Sequence, residues 1–395
     1  MEKVINQKMK TTSIGLIPED WDAKSLSQIG VFSKGKGVTR ANAQSGIIPC
    51  VRYGEIYTSH NDYIRTFYSH ISPEVAATAT KLKKGDVLFA GSGETKEEIG
   101  KAVAFLGDEE AYAGGDIIIL SPNEGASSKY LGYVLNAATA VNQKASMGQG
   151  DAVVHIHAKE LSDVVIPFPK LEEQEKIADV LSGVDDIIGA LDEAIAKKQQ
   201  IKEGLMQQLL TCKTRLPGFN GDWLTISLGS ISQMYQPQTI TQDSLTISGY
   251  PVYGANGVIG RYPYHNHTTD QVMITCRGSS CGTVNYSRGK CWITGNAMVV
   301  NMDGYNVNKR FVYYVLDRSD LSSLITGSGQ PQIVRTPLQR FEICIPKSIE
   351  EQTAIAECLD SFEIDISSVE SKRDKYALIK QGMMQELLTG KTRLI

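Results

Sequence analysis

The sequence predicts an α+β protein with an internal repeat, in which two similar globular domains are joined by two long helices that pair as an antiparallel coiled coil with pseudo-two-fold symmetry. Three observations predict it. Residues 172–216 align without a gap to residues 350–394, with 20 of 45 positions identical, a self-similarity whose period is half the chain. Each copy carries apolar residues in alternating steps of four and three, the seam of a coiled coil. Upstream of each copy, a more diverged block repeats the same order of strand-like runs and turns. The expected boundaries are 1–170 for the first globule, 171–216 for the central helix, 217–348 for the second globule and 349–395 for the C-terminal helix. A chain of 395 residues has room for several cores, at roughly 100–200 residues per domain.

Within the globules the landmarks run in parallel. Each opens near a tryptophan, Trp21 or Trp223. The strand-like run Gly85-Asp86-Val87-Leu88-Phe89 answers to Asp270-Gln271-Val272-Met273-Ile274, and each is followed by a Gly/Ser turn, Gly91-Ser92-Gly93 or Gly278-Ser279-Ser280. A β-rich segment follows (Asp116 to Leu120; Ala297 to Val300), then an aromatic-aliphatic run (Tyr130 to Leu135; Phe311 to Leu316). Next come a Gly-Gln loop, Gly148-Gln149-Gly150 or Gly329-Gln330-Pro331, and a strand ending in Ile166-Pro167 or Ile345-Pro346.

The helix seam reads Ile177, Leu181, Val184, Ile188, Leu191, Ile195 in the first copy and Ile355, Leu359, Phe362, Ile366, Val369 in the second. Both then shift phase and resume at Ile201, Leu205, Leu209 and at Ile379, Met383, Leu387, a stammer that would overwind the pair. Ser348 and Glu351 make a capping box at the second helix start. One helix over residues 172–210 would extend about 58 Å. Two near-identical helix surfaces offer one docking site twice, which predicts two copies of one partner.

Composition narrows the class. Apolar residues at 42% and charged residues at 21% are ordinary for a globular protein, and no run of about 18 apolar residues could span a bilayer. The first residues carry no secretory h-region, which places the protein in the cytoplasm. Seven scattered cysteines without a C-x-x-C pair argue for reduced thiols. Net charge is −4, but Trp223 to Pro346 holds nine Lys/Arg against six Asp/Glu, the balance of a nucleic-acid contact.

Motifs for catalysis are weak. Phe89-Ala90-Gly91-Ser92-Gly93 fits the F-x-G-x-G loop of adenosylmethionine-dependent methyltransferases, yet no [DNS]-P-P-[FYW] tetrapeptide accompanies it. Asp86 with Glu94-Thr95-Lys96 imitates a nuclease metal site, at a spacing too short for two strands. No phosphate-binding loop of the G-x-x-x-x-G-K-[ST] type exists. His155-x-His157, or His265-x-His267 followed by Cys276, Cys281 and Cys291, could serve zinc, although core thiols and surface imidazoles are the commoner use. The rival functions are therefore a methyltransferase or nuclease using the Gly91 loop, and a coiled-coil scaffold that binds proteins only.

The chain resembles the specificity subunits of type I restriction-modification enzymes along essentially its whole length. The most specific matches are Ile166-Pro167 with Leu171-Glu172-Glu173-Gln174, Leu205-Met206-Gln207-Gln208-Leu209-Leu210-Thr211, Lys213-Thr214-Arg215-Leu216, and the second copy ending Leu387-Leu388-Thr389-Gly390-Lys391-Thr392-Arg393-Leu394. The resemblance implies that each globule is a target-recognition domain reading half of a bipartite site in double-stranded DNA. It implies that the helices set the spacing, and that two methyltransferase subunits bind through helices and recognition domains. Restriction subunits complete the complex, in a phage-defence role. It implies no catalytic residue, cofactor, metal or membrane contact for this chain. Unlike domains on duplicated helices would read an asymmetric site, and at 3.4 Å per base pair the helix bounds the half-site separation at roughly 17 base pairs.

Base-reading residues are ranked by chemistry. Arginine pairs with guanine, and glutamine or asparagine with adenine. In the first globule the candidates are Arg52 and Tyr53, Lys96, and Gln149; in the second, Tyr253, Asn256, Arg277, Gln330 and Arg335. Ser92 and Ser279 are candidate phosphate contacts.

Overall fold

The runs Val87–Ala90 and Ile117–Pro122 are apolar without strict alternation because both of their faces are covered. The computed structural model describes residues 8–150, 153–255, 257–327 and 329–394. It divides into two compact units, one built from residues up to Ala190 together with those from Lys372 onward, the other from Leu191 to Ser371. Each long helix thus contributes to both units.

In the first unit an antiparallel sheet has the order Ala102–Ala104, Val87–Ala90, Ile117–Pro122, Gly30–Lys34. A second sheet runs Ser69–Ile71, Ile48–Val51, Tyr112–Ala113, Thr80–Lys81, with Tyr112–Ala113 parallel to Ile48–Val51. Leu88, Val103, Phe105 and Ile119 fill one core with Val51 and Ile56. Phe89, Ile118 and Leu120 face another, where helix Ser128–Val134 supplies Tyr130 and Tyr133. Fully burying side chains of this size contributes about 1.5–3 kcal/mol each.

The second unit repeats the plan. Its antiparallel sheet has the order Val284–Ser287, Gln271–Thr275, Ala297–Asn301, Gln233–Tyr235. Its second sheet again holds a parallel pair, Tyr250–Gly254 with Trp292–Ile293. Helix Lys309–Arg318 takes the place of Ser128–Val134. The aromatic-aliphatic runs of the sequence are these two helices.

In both units a strand pair leads into a long helix. Asp22–Ser25 pairs with Val165–Phe168 ahead of Leu171–Leu209, and Trp223–Ser227 pairs with Glu342–Pro346 ahead of Ile349–Leu387. In the first unit Ile177 and Leu181 share a core with Leu387 and Leu388; in the second Ile355 and Leu359 share one with Met206, Leu209 and Leu210. The opening of each helix therefore packs on the close of the other, and the pair is antiparallel.

Two expectations about the helices are corrected. The seam contains no stammer: Ile201 and Ile379 are 43% and 40% exposed, and the heptad continues through Lys202 and Lys380. These lysines hold their places by ion pairs, Lys202 with Glu363 at 2.8 Å and Lys380 with Asp185 at 2.8 Å and Asp62 at 2.6 Å. Apolar periodicity alone cannot detect a charged residue whose stem packs in the seam and whose head finds a carboxylate. The capping box is half formed. Ser348 accepts the Glu351 N–H at 3.2 Å, but the Glu351 carboxylate is taken by Arg215 at 2.6 Å.

That last contact explains the repeated residues. In the first unit Glu173 accepts from Arg393, at 2.5 and 2.7 Å, and from the Trp21 indole at 2.9 Å. The equivalent pair in the second unit is Glu351 with Arg215. Gln174 accepts the Ser127 N–H and donates to the Pro169 carbonyl; Gln352 does the same with Asn308 and Pro346. The opening Glu-Glu-Gln and the closing Lys-Thr-Arg-Leu are two halves of one lock, made twice.

Candidate nucleic-acid interface

The sheet strands that carry the Gly/Ser turns leave their sheets in the same way in both units. In the first, the Gly91 N–H donates to Asp116 O at 2.8 Å and Gly91 O accepts from Ile156 at 3.0 Å. Ser92–Gly93 then pairs with Val154–His155, with Ser92 opposite His155. His155 exchanges both main-chain hydrogen bonds with Gln149, at 2.9 and 2.8 Å. In the second unit, the Cys276 N–H donates to Asn296 O and Cys276 O accepts from Ile333. Arg277 lies opposite Gln332, and Gln332 exchanges both bonds with Thr326 at 2.9 and 2.8 Å. The turns match too. Gly150 has φ +109° and a side chain there would meet Val153 O at 2.2 Å; Gly327 has φ +90° and would meet Gln330 O at 2.6 Å, so glycine is required at both.

This frame sets the correspondence between the halves: Ser92 with Arg277, Gln149 with Thr326, Val153 with Gln330, His155 with Gln332. The two Gly-Gln loops are therefore not equivalent, because the same dipeptide occurs at different points of one turn. Strand alternation exposes Val153, His155 and His157 while Val154 and Ile156 are buried; Gln330, Gln332 and Val334 are exposed around buried Ile333.

Four candidates of the second half, Arg277, Ser279, Gln330 and Arg335, come together on this frame, and all are exposed. Gly278, between two of them, donates to Pro331 O at 3.1 Å, and Arg335 starts helix Arg335–Gln339 just beyond. Arg277, Arg288, Lys290 and Arg335 form no ion pair among the described residues, which leaves their charge available. Tyr253 is half-buried against the core of Met273, Cys291, Ile293 and Val299. Its hydroxyl takes the Arg288 N–H, so packing rather than presentation explains it. Asn256 lies outside the described residues.

In the first half, Gln149 is exposed on the frame, and Lys96 is exposed in the turn just after it, flanked by Glu94, Glu97 and Glu98. Ser92 is only 6% exposed and its hydroxyl lies 2.9 Å from Nδ1 of His155. The expected direct phosphate contact is corrected accordingly, since the exposed group there is the imidazole. Arg52 is committed to Glu55 and Ser69, holding the start of helix Tyr53–Thr58 on strand Ser69–Ile71. Tyr53 itself is 41% exposed. The sequence weighed His155 only as a zinc ligand and did not single out Gln332; the alternation of Val153, His155 and His157 was the available signal.

The catalytic look-alikes resolve into structure. The Gly91 backbone that a cofactor would approach is committed to Asp116 and Ile156. Asp86 closes its own turn, accepting from Lys83 N–H and Ser121 Oγ. His267 bonds Tyr235 Oη at 2.9 Å, and burial pushes its pKa down. His265 packs edge-on to Tyr250. Among the described residues no cluster of three or more His, Cys, Asp or Glu could hold a metal, and no helix is long and apolar enough to cross a membrane.

The geometry thus defines a duplicated recognition protein, with one frame used twice and different side chains at its equivalent positions. The family model described as the type I restriction modification DNA specificity domain matches residues 18–203 and again 220–376, and the chain belongs to that family. A relative in Methanocaldococcus jannaschii, provisionally named the type I restriction enzyme MjaX specificity subunit, is 26% identical over 98% of this chain and 97% of its own length. The MjaVIII specificity subunit of the same organism is 24% identical over 96% and 94%. Among solved structures, the type I restriction-modification S subunit from M. genitalium superposes with a TM-score of 0.68 at 14% identity, covering 98% of both chains.

Proposed function

We propose that this chain is the non-catalytic specificity subunit of a type I restriction-modification complex, reading a bipartite, asymmetric site in double-stranded DNA and directing methylation and cleavage by partner subunits. The observation that carries the reading is the shared frame with unlike residues, Ser92 and His155 in one unit against Arg277 and Gln332 in the other. The exposed members of the frame, His155 against Arg277 and Gln332, are all hydrogen-bonding side chains of different chemistry. Base readout uses such a difference, since hydrogen-bonding groups carry the sequence information and the backbone carries the position.

The partners are two modification subunits, docked on the helices and recognition domains, with restriction subunits in the full complex. The long helices are about 58 Å each by their 39 residues. The test is single-molecule sequencing of adenine methylation in cells with the gene present and deleted. Loss of one split, asymmetric motif on deletion supports the reading; an unchanged methylome from an expressed, assembled complex overturns it.

A further inference from the structure

We infer that His155 reads a base of the first half-site, with its tautomer set by Ser92, and that Gln332 reads the base at the corresponding position of the second. This rests on the function proposed above and deepens it.

The argument starts from Ser92. Its side chain is 6% exposed, and its hydroxyl has one hydrogen-bond partner among the described residues, Nδ1 of His155 at 2.9 Å. A buried hydroxyl must donate somewhere or lose the free energy of an unmade hydrogen bond. Nδ1 is the acceptor within reach. With Nδ1 accepting, the neutral imidazole carries its proton on Nε2. His155 lies on the exposed face of its strand, so the ring offers a donor from that face.

The major groove admits a two-stranded β-ribbon, and Ser92–Gly93 pairs with Val154–His155 as such a two-stranded sheet in the first unit. A lone donor there meets a donor on cytosine, a single acceptor on thymine (O4) or adenine (N7, beside the N6 donor), and two adjacent acceptors, N7 and O6, on guanine. His155 therefore rejects cytosine and favours guanine, whose edge alone offers two acceptors with no donor beside them. Gln332 occupies the same point of the frame, opposite Arg277 and bonded in the same way to Thr326 as His155 is to Gln149. Its amide carries both an acceptor and a donor, which fits the N6 and N7 edge of adenine. Position is held constant by the main chain and chemistry is changed by one side chain.

The experiment uses the full chain co-expressed with its modification subunits and sequences the methylated sites genome-wide. His155→Gln installs the second unit's residue at an exposed position, where no core packing is lost. The expected result is a change of one base position in the first half-site from guanine toward adenine, about 10- to 100-fold in the ratio of methylation at the two bases, with the second half-site unaltered. Gln332→Ala relaxes one position of the second half-site only. Ser92→Ala leaves the imidazole in place but frees its tautomer, and weakens discrimination at the His155 position alone. An unchanged motif in His155→Gln overturns the inference, as does a uniform loss of methylation with the motif intact. If the wild-type complex itself marks no split site, the function proposed above fails first; a split wild-type motif that ignores His155 removes only the present inference.

Discussion

Arg277 is exposed on a turn held from both sides by main-chain hydrogen bonds, so its guanidinium is positioned without being consumed. Arg277→Ala is expected to relax one half-site by about 1–3 kcal/mol and to leave the other unchanged, measured by competition binding of the assembled complex against single-base variants. Equal loss across all sequences would make Arg277 a phosphate contact. Lys144 presents the opposite case. It is 1% exposed, donates to Gly100 O at 2.6 Å, and burial lowers its pKa to about 7. Because the folded value lies below the unfolded one, the unfolded chain binds more protons between these values, and stability rises with pH above about 7. Urea unfolding from pH 7 to 9 should show this rise in the wild type and a flatter profile in Lys144→Met.

At the scale of elements, the lock between helix openings and closes is the feature most exposed to single substitutions. Glu173 and Arg393 have side chains 6% and 10% exposed, and the bidentate pair holds the arginine charge that Asp20 also accepts at 2.9 Å. Breaking a buried pair so that one charge is stranded costs about 3–5 kcal/mol; loss of Glu173 costs less than that, because Arg393 keeps Asp20, but it leaves the Trp21 indole N–H without its acceptor. Glu173→Ala should therefore lower the urea midpoint of the full chain markedly, whereas Glu172→Ala, at an exposed neighbour, should leave it nearly unchanged. Equal midpoints for the two variants would mean that the lock contributes nothing. This element was half legible. The repetition of Glu-Glu-Gln and Lys-Thr-Arg-Leu was plain in the sequence, but that one end grips the other needs the fold, because the partners lie 220 residues apart.

For the whole molecule, most residues identical in the two helices are buried or locked, and Ile201 and Ile379 are the apolar exceptions at 43% and 40% exposure. Each has an identical, exposed lysine four residues earlier, Lys197 and Lys375, on the same helix face. An apolar residue kept on both surfaces suits a partner that binds twice. In the assembly proposed above, Ile201→Asp is expected to remove one modification subunit, and the double substitution with Ile379→Asp both, read as the mass of the assembled complex by light scattering. Retention of both subunits by the double variant would move the docking site elsewhere.

The duplication, the strand-like runs, the two helices and the family resemblance were all available from the sequence, because repeats and periodicity are local properties that survive divergence. The equivalence of Gln332 with His155, the burial of Ser92, the commitment of Arg52 to Glu55 and Ser69, and the unbroken seam through Lys202 and Lys380 were decided by tertiary structure alone. Each depends on which groups meet across long stretches of chain. A charged or polar residue is written identically in the sequence whether it faces water or a buried partner, and only the fold supplies the partner.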